Sequence, residues 1–266
     1  MRNILEEIAE KTRERVIVAK QGMPLSELKA VAADSNTETG YPFETALGKE
    51  GLSFICEVKK ASPSKGIIAE NFPYVEIAKN YEKAGADALS VLTEPFYFQG
   101  SNDYLKEIRK NVALPILRKD FTVDEYMIYE AKTLGADAVL LICSILSDMQ
   151  LSEYNGLARA LGMSVLVETH DEAEIERAMR CGATVIGVNN RNLRDFTVDI
   201  GNSVRLRGLV PSDKLFVSES GIKTPDDVAA LRRNGTDAVL IGETLMRSGN
   251  VAEELHRLSC AAREAV

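Results

Sequence analysis

Residues 84–92 read Ala84-Gly85-Ala86-Asp87-Ala88-Leu89-Ser90-Val91-Leu92. The glycine follows an amphipathic run at 74–83 and stands where a helix commonly ends in a left-handed residue. The apolar run at 89–92 is typical of a strand that is buried on both faces. The segment therefore predicts a helix, a glycine cap and a parallel strand in succession.

The same pattern recurs three times along the chain. Gly135, Gly182 and Gly235 take the place of Gly85 at intervals of 50, 47 and 53 residues. An apolar run follows each of them. A period near 50 is too long for one strand–helix unit and fits two, so further strands are expected halfway between. The eight strands are predicted at 54–58, 89–92, 115–118, 139–142, 165–168, 185–188, 215–218 and 239–242.

Eight strands that alternate with helices imply parallel pairing with right-handed crossovers. The simplest architecture is an α/β fold, the (β/α)₈ TIM barrel. A doubly wound open sheet is the alternative, but its dinucleotide fingerprint is missing and the fourfold repetition favours closure. Residues 1–48 precede the pattern, with helices expected at 3–20 and 25–33. We predict a single TIM-barrel catalytic domain, 1–266, on which 1–48 packs as a helical extension.

Composition narrows the classes of partner and site. The net charge of −8 argues against nucleic acid as a main partner, although a local lysine cluster can still bind phosphate. No two of the four cysteines lie close together in sequence, and there are only two histidines, His170 and His256. No metal-ligand spacing results. We expect no metal site. For His170, which closely follows Glu168, we expect a polar surface role, with a position at the rim of the site as the alternative.

The apolar runs are too short to span a bilayer, and the charged N-terminal 20 residues lack an apolar signal core. A cytoplasmic protein without a membrane partner is expected. For the oligomeric state we expect a monomer, with a weak homodimer as the alternative.

Ionisable side chains follow the odd-numbered strands, at the barrel end where active sites of this fold lie. Because alternate strands contribute to one layer of side chains, these groups are expected to converge. A mixture of lysines and carboxylates suits general acid–base chemistry. The set comprises Glu57 and Lys59 on the first strand, Lys119 and Asp120 on the third, Glu168 on the fifth and Glu219 on the seventh.

Two further signals concern substrate binding. Ser220-Gly221 and Gly242-Glu243 follow the last two strands and precede helices, which is the recurring phosphate site of the fold. The loop at 60–72 after the first strand is long, carries Lys65 and could close over the barrel mouth as a lid. Aromatic residues near the mouth mainly predict packing, and Phe98 is taken as the one that stacks on substrate.

The stretch Glu57-Val58-Lys59-Lys60-Ala61-Ser62-Pro63-Ser64-Lys65-Gly66 closely resembles the signature of the indole-3-glycerol-phosphate synthases. Further segments resemble that family in the same order and cover nearly the whole chain. They are 92–95 and 98–101 at the second strand, 114–121 at the third, 166–168 at the fifth, 186–193 at the sixth, 218–222 at the seventh and 241–243 at the eighth.

The resemblance implies an activity in tryptophan biosynthesis. Members of the family convert 1-(2-carboxyphenylamino)-1-deoxyribulose 5-phosphate into indole-3-glycerol phosphate and release carbon dioxide and water, without metal or organic cofactor. It also implies roles for the matching residues. Lys119 would protonate the ribulose carbonyl oxygen, and Glu168 would act as the base in the dehydration. Lys59 would be a second acid or bind the substrate carboxylate.

By the same resemblance, Glu57 would orient the lysines, and Asn189 would position Glu57 or the substrate amine. Ser220 would fix the substrate near the seventh strand. Arg191 and Ser62 would hold the anthranilate carboxylate, and backbone groups at Gly221, Gly242 and Glu243 would bind the phosphate. Pro63, Phe98 and Glu219 are also expected to bind substrate.

Two other functions stay open at this stage. A sugar-phosphate isomerase of aromatic amino acid metabolism would keep the fold, but it typically needs one acid and one base rather than two lysines and two glutamates. A non-catalytic phosphosugar-binding barrel would keep the glycines without the converging acid–base residues.

Overall fold

The computed structural model describes residues 4–192 and 195–265. Asn3, where the first helix was predicted to begin, and Leu193, the last residue of the sixth-strand motif, lie outside the described residues.

Eight parallel strands close into a barrel in which each strand pairs with the next and the last pairs with the first. The predicted (β/α)₈ barrel is thereby confirmed. Every predicted strand is present to within one residue at either end. The strands are β1 Ser53–Val58, β2 Ala88–Leu92, β3 Ile116–Lys119, β4 Ala138–Ile142, β5 Ser164–Thr169, β6 Val185–Asn189, β7 Leu215–Glu219 and β8 Ala238–Ile241.

Helices surround the barrel and cover its strands with apolar side chains. Within the described residues, no helix is both long and apolar enough to cross a membrane. The helices are α1 Ile4–Gly22, α2 Leu25–Ala33, α3 Pro42–Leu47, α4 Tyr74–Lys83, α5 Asn102–Arg109, α6 Glu125–Leu134, α7 Asp148–Ala160, α8 Glu172–Arg180, α9 Gly201–Leu206, α10 Pro225–Arg233, α11 Glu243–Arg247 and α12 Val251–Glu264.

The sequence repeat corresponds to a repeated helix ending. Gly85 has a φ of 90°, and its three equivalents also lie in the left-handed region. After α4, the N–H of Ala86 donates to the carbonyl of Tyr81, and that of Gly85 to the carbonyl of Glu82. These are the two hydrogen bonds of the Schellman motif, and the same pair follows α6, α8 and α10.

The aspartate of the repeat fastens the amino end of the barrel. The N–H of Asp137 donates to the carbonyl of Ile116 at 2.9 Å, and the N–H of Ile116 donates to the Asp137 carboxylate at 2.9 Å. Asp87 and Asp237 form the same pair of bonds with the preceding odd strand. Three of the four repeat units are therefore pairs of strands tied at one end by an aspartate, whereas the unit with Gly182 has Thr184 at that position. We call Asp87, Asp137 and Asp237 the amino-end aspartates.

The N-terminal extension contacts three sides of the barrel. Leu5 and Ile8 of α1 pack with Leu140 and Leu240 of the barrel interior. Leu28 of α2 packs against Met127 of α6. The helix α3, which was not predicted, buries Phe43 and Leu47 completely and joins the same interior cluster. Its six residues are too short to produce a clear helical periodicity in the sequence.

Candidate active site

A cavity of about 500 Å³ opens at the carboxyl ends of the barrel strands. Its floor is formed by Leu140, Ile142 and Leu240 of the barrel interior, and polar groups from β1, β3, β5, β6 and β7 project above them. A concave site with an apolar floor and a few converging charges is the usual form of a small-molecule site.

Lys119 at the end of β3 lies between two carboxylates. Its Nζ is 3.1 Å from Glu168 Oε2 on β5 and 3.2 Å from Glu219 Oε2 on β7. Both glutamates are 2% exposed. Gly187 on β6 makes room for this arrangement, because a Cβ there would overlap Glu219 Oε1. Burying a charge costs free energy unless the charge is paired, so Lys119 and the two glutamates depend on one another to remain buried at the barrel mouth. We call these three residues the triad.

The triad controls the protonation of its own members. Burial would lower the pKa of Lys119, but the charges of Glu168 and Glu219 outweigh it and raise that pKa. Burial would raise the pKa of Glu168, but Lys119 and His170 hold it below its ordinary value. Burial and the nearby Glu168 raise the pKa of Glu219 to about 7, against the opposing charge of Lys119. At neutral pH the triad therefore contains an ammonium, a carboxylate and a carboxyl group in titration.

A second acid–base pair lies on β1 and just beyond it. Lys59 Nζ is 2.5 Å from Glu57 Oε2, and the Ser90 hydroxyl lies 3.5 Å from Glu57 Oε1. A Cβ on Gly242 would overlap Glu57 Oε2 and crowd the Lys59 amine. The glycine therefore provides space for this pair as well as a helix start, because α11 begins at the next residue.

The loops after β7 and β8 contribute Ser220, Gly221, Gly242 and Glu243 to the lining of the cavity. Ser220 has a φ of 68°, which is costly for a residue other than glycine, and Gly221 has a φ of 84°. The Asn190 amide donates to the Ser220 carbonyl at 3.1 Å and holds the turn. Consecutive residues in such conformations can aim their N–H groups at one anion.

The loop after β1 lies at the mouth beside the start of α11, which follows the neighbouring strand β8. It forms a short antiparallel pair, Ala61–Ser62 with Gly66–Ile67, which the sequence did not predict. Lys65 at its tip lies 3.8 Å from Glu243 at the start of α11, and Arg247 lies 3.2 Å from the same carboxylate. The positive side chains of Lys65 and Arg247 therefore line the cavity beside the loop that follows β8.

The family described as indole-3-glycerol phosphate synthase matches residues 5–258. Proteins of that name from Ruminiclostridium cellulolyticum and Endomicrobium trichonymphae are each 56% identical to this chain. The matches cover 97% and 96% of the chain, and 100% and 99% of the two relatives. This chain belongs to the indole-3-glycerol phosphate synthase family.

More distant solved structures share only the barrel with this family member. The 3-hexulose-6-phosphate synthase of Salmonella typhimurium superposes with a TM-score of 0.67, over 81% of this chain and 100% of that one, at 15% identity. The thiamine phosphate pyrophosphorylase of Pyrococcus furiosus gives a TM-score of 0.61, over 84% and 99%, also at 15% identity. These likenesses support the fold and no particular reaction.

All the expected site residues, most of them from the resemblance to the indole-3-glycerol phosphate synthases, line this same cavity. They are Glu57, Lys59, Ser62, Pro63, Phe98, Lys119, Glu168, Asn189, Arg191, Glu219, Ser220, Gly221, Gly242 and Glu243. One relation differs from the expectation. The Asn189 amide interacts with Glu168, where it helps to lower the pKa of that carboxyl group, whereas we expected it beside Glu57 or the substrate amine. Asp120 also lines the cavity, but its carboxylate is bound by Arg15 of α1 at 2.8 Å.

Several lining residues of this family member were not predicted. Ile4, Leu5 and Ile8 of α1 cover one side of the mouth, and their apolar spacing was the available signal. For His170 we expected a surface role with the rim as the alternative. It directly follows β5 and lies beside the cavity, with its Nε2 3.7 Å from Glu168 Oε1, which agrees with the alternative.

Proposed function

We propose that this protein catalyses the ring closure, decarboxylation and dehydration that produce indole-3-glycerol phosphate from 1-(2-carboxyphenylamino)-1-deoxyribulose 5-phosphate. The observation that carries the proposal is the position of Lys119 between Glu168 and Glu219, in a cavity that also holds the Lys59–Glu57 pair. Family membership supports it independently. The relatives' reaction needs more than one proton transfer, and this cavity offers several acid–base groups.

The first task is to bend the substrate so that the aryl carbon meets the ribulose carbonyl, which is a matter of proximity. The proposed phosphate site is formed by the N–H groups of Gly221, Gly242 and Glu243, close to Lys65 and Arg247. Arg191 and Ser62, with Pro63 beside it, would bind the anthranilate carboxylate, and Phe98 would pack against its ring. Binding both ends would bring the reacting carbons together above the apolar floor.

The second task is proton transfer. Because the charges around Lys119 raise its pKa, the amine is protonated at neutral pH and can serve as the acid toward the carbonyl oxygen. The lowered pKa of Glu168 keeps it ionised, as a base must be, and Asn189 assists in this. In our proposal, Glu219 contacts the substrate while it shares the Lys119 amine with Glu168. Ser220 would hold the substrate near β7.

Decarboxylation restores aromaticity after ring closure, so the protein need not supply an electron sink. Lys59 would be the second acid or a ligand of the departing carboxylate, and Glu57 keeps its amine in place. The proposal includes no metal or organic cofactor. It treats 1–266 as one catalytic domain, acting in the cytoplasm as a monomer with a weak homodimer as the alternative.

The test is a direct assay. The purified protein, treated with a chelator, is incubated with the carboxyphenylamino-ribulose phosphate while indole fluorescence and carbon dioxide release are followed. We expect both signals to rise together in a 1:1 ratio. Absence of product would overturn the proposal, and conversion of the substrate without carbon dioxide would point instead to a sugar-phosphate isomerase.

A further inference from the structure

A second cavity of about 520 Å³ lies beside the first and is open to solvent. His170, at the end of β5, lines this second cavity, and Asn189 and Arg191 line both. The His170 side chain is 21% exposed, whereas that of Glu168 is 3% exposed. The imidazole therefore lies between the buried carboxylate of the first cavity and the water of the second.

The hydrogen bonds of His170 orient its ring toward Glu168. Glu174 Oε2 is 3.1 Å from His170 Nδ1 and also accepts from the backbone N–H of His170 at 2.8 Å. The other ring nitrogen, His170 Nε2, lies 3.7 Å from Glu168 Oε1 and makes no hydrogen bond within the part of the chain that the structure describes. A carboxylate that accepts from one ring nitrogen leaves the other free to exchange a proton.

The proposed reaction has a definite proton balance. Two protons reach substrate oxygen, one on the carbonyl and one on the hydroxyl that leaves as water, and one proton leaves the carbon beside the amine. Because the carboxylate departs as carbon dioxide, each turnover takes up one proton from solvent. Lys119 and Glu168 are buried, and a bound substrate together with the loop after β1 would cover them on the side of the first cavity.

We propose that His170 is a positioning residue that relays protons between the second cavity and Glu168. Nδ1 keeps its proton toward Glu174 throughout, and Nε2 takes a proton from the water of the second cavity when the ring rotates. Nε2 then passes this proton to the Glu168 carboxylate, from which it reaches the amine that Lys119 becomes after donating. The gap of 3.7 Å closes by a small rotation of the ring or through one water, as catalytic contacts often do only with substrate bound. This inference rests on the proposed function.

The charges around the imidazole suit a relay. Burial would lower the pKa of His170, but the hydrogen bond to Glu174 and the charge of Glu168 outweigh it and raise the pKa. Glu219 faces the ring from β7 with the same effect. Asp171, Asp199 and Arg191 line the second cavity around it. The protonated form is thus favoured more than in a free imidazole, and delivery should weaken as pH rises through the His170 pKa.

The experiment compares His170→Gln with the unaltered protein in steady state. We expect kcat to fall on the order of 10-fold with KM nearly unchanged, because the relay acts on proton transfer and does not touch substrate. Imidazole added to the buffer should restore part of the lost kcat, and the decline of kcat above the His170 pKa should disappear. Glu174→Gln should weaken the same dependence on pH.

The matched control is His256→Gln, which removes the other histidine of the chain on the exposed face of α12 and should change nothing. An unchanged kcat in His170→Gln would overturn the relay. So would a lower kcat that imidazole does not restore, which would make His170 a structural residue. If the unaltered protein formed no product at all, the proposed function would fail first, so the two failures are distinguishable.

Discussion

The two ends of the barrel both place acidic side chains beside strand termini, but they use them differently. At the amino end, the amino-end aspartates each bind the backbone N–H of the neighbouring odd strand, and the three arrangements are nearly identical. At the carboxyl end, Glu168 and Glu219 instead share the Lys119 amine. The acidic groups at the amino end accept backbone N–H groups, with Lys49 or Arg109 beside two of them, whereas Glu168 and Glu219 are paired with the side chain of Lys119.

The contrast is between carboxylates that stabilise the fold and carboxylates that can exchange protons. A carboxylate that accepts backbone N–H groups is fixed by the fold and has little freedom to exchange protons. A carboxylate that shares a lysine with another carboxylate has a pKa that changes when any member of the group changes. The repeated geometry at the amino end and the shared lysine at the carboxyl end agree with the general division of this fold into a stabilising face and a catalytic face.

Replacing Lys119 at the carboxyl end should lower kcat far more than any replacement at the amino end. Lys119→Ala removes the proposed acid and leaves two adjacent carboxylates without their cation. We expect kcat to fall about 10³-fold, within the range for loss of a general acid. Binding of inorganic phosphate, measured by calorimetry, should persist because Lys119 lies away from the proposed phosphate site.

The matched control is Lys49→Ala. Lys49 pairs with Asp87 at the amino end and is half-exposed, so its loss should leave kcat unchanged. Near-normal turnover in Lys119→Ala would show that a different group is the acid, and Lys59 would be the first to examine.

Replacing an amino-end aspartate should have the opposite result. Asp137→Ala removes the acceptor of the Ile116 N–H and the partner of Arg109, whose Nη1 lies 3.0 Å from the carboxylate. An unsatisfied buried N–H costs about 1–3 kcal/mol, so the free energy of unfolding should drop by that amount. Urea denaturation measures it, while kcat and KM at 25 °C should stay at their usual values. A loss of kcat without a loss of stability would contradict the division between the two ends.

The same contrast explains what the sequence could and could not predict. The repeat located the four even strands directly, because a glycine cap followed by an apolar run is a local sequence signal. Its period of about 50 residues then indicated the four odd strands between them. The convergence of Lys119 and Glu168 followed from strand parity. The pairing of Lys119 with Glu219 at 3.2 Å did not, because it depends on the shape of the closed barrel and on the space left by Gly187.

Contacts distant in sequence were the least predictable. The helix α1 covers the mouth because Ile4, Leu5 and Ile8 find an apolar surface that only the closed barrel creates. Arg15 then binds Asp120, which the sequence had suggested as one more member of the acid–base set. A local pattern can show that a helix has an apolar face, but it does not show where that face packs.

The smallest effect we expect concerns pH. The pKa of Glu219 is raised from 4.5 to about 7 by burial and by Glu168, so the folded protein holds a proton that the unfolded chain has lost in this interval. Stability from this group is present below about pH 4.5 and is lost as pH rises toward 7.

Glu219→Gln cannot titrate, so its free energy of unfolding should decline less between pH 5 and 7, by about 1–2 kcal/mol. Asp237→Asn, at the amino end, serves as the control and should not remove this decline. Urea denaturation at both pH values measures the difference. Equal slopes for Glu219→Gln and the unaltered protein would mean that Glu219 is ionised throughout and that both glutamates balance the charge of Lys119.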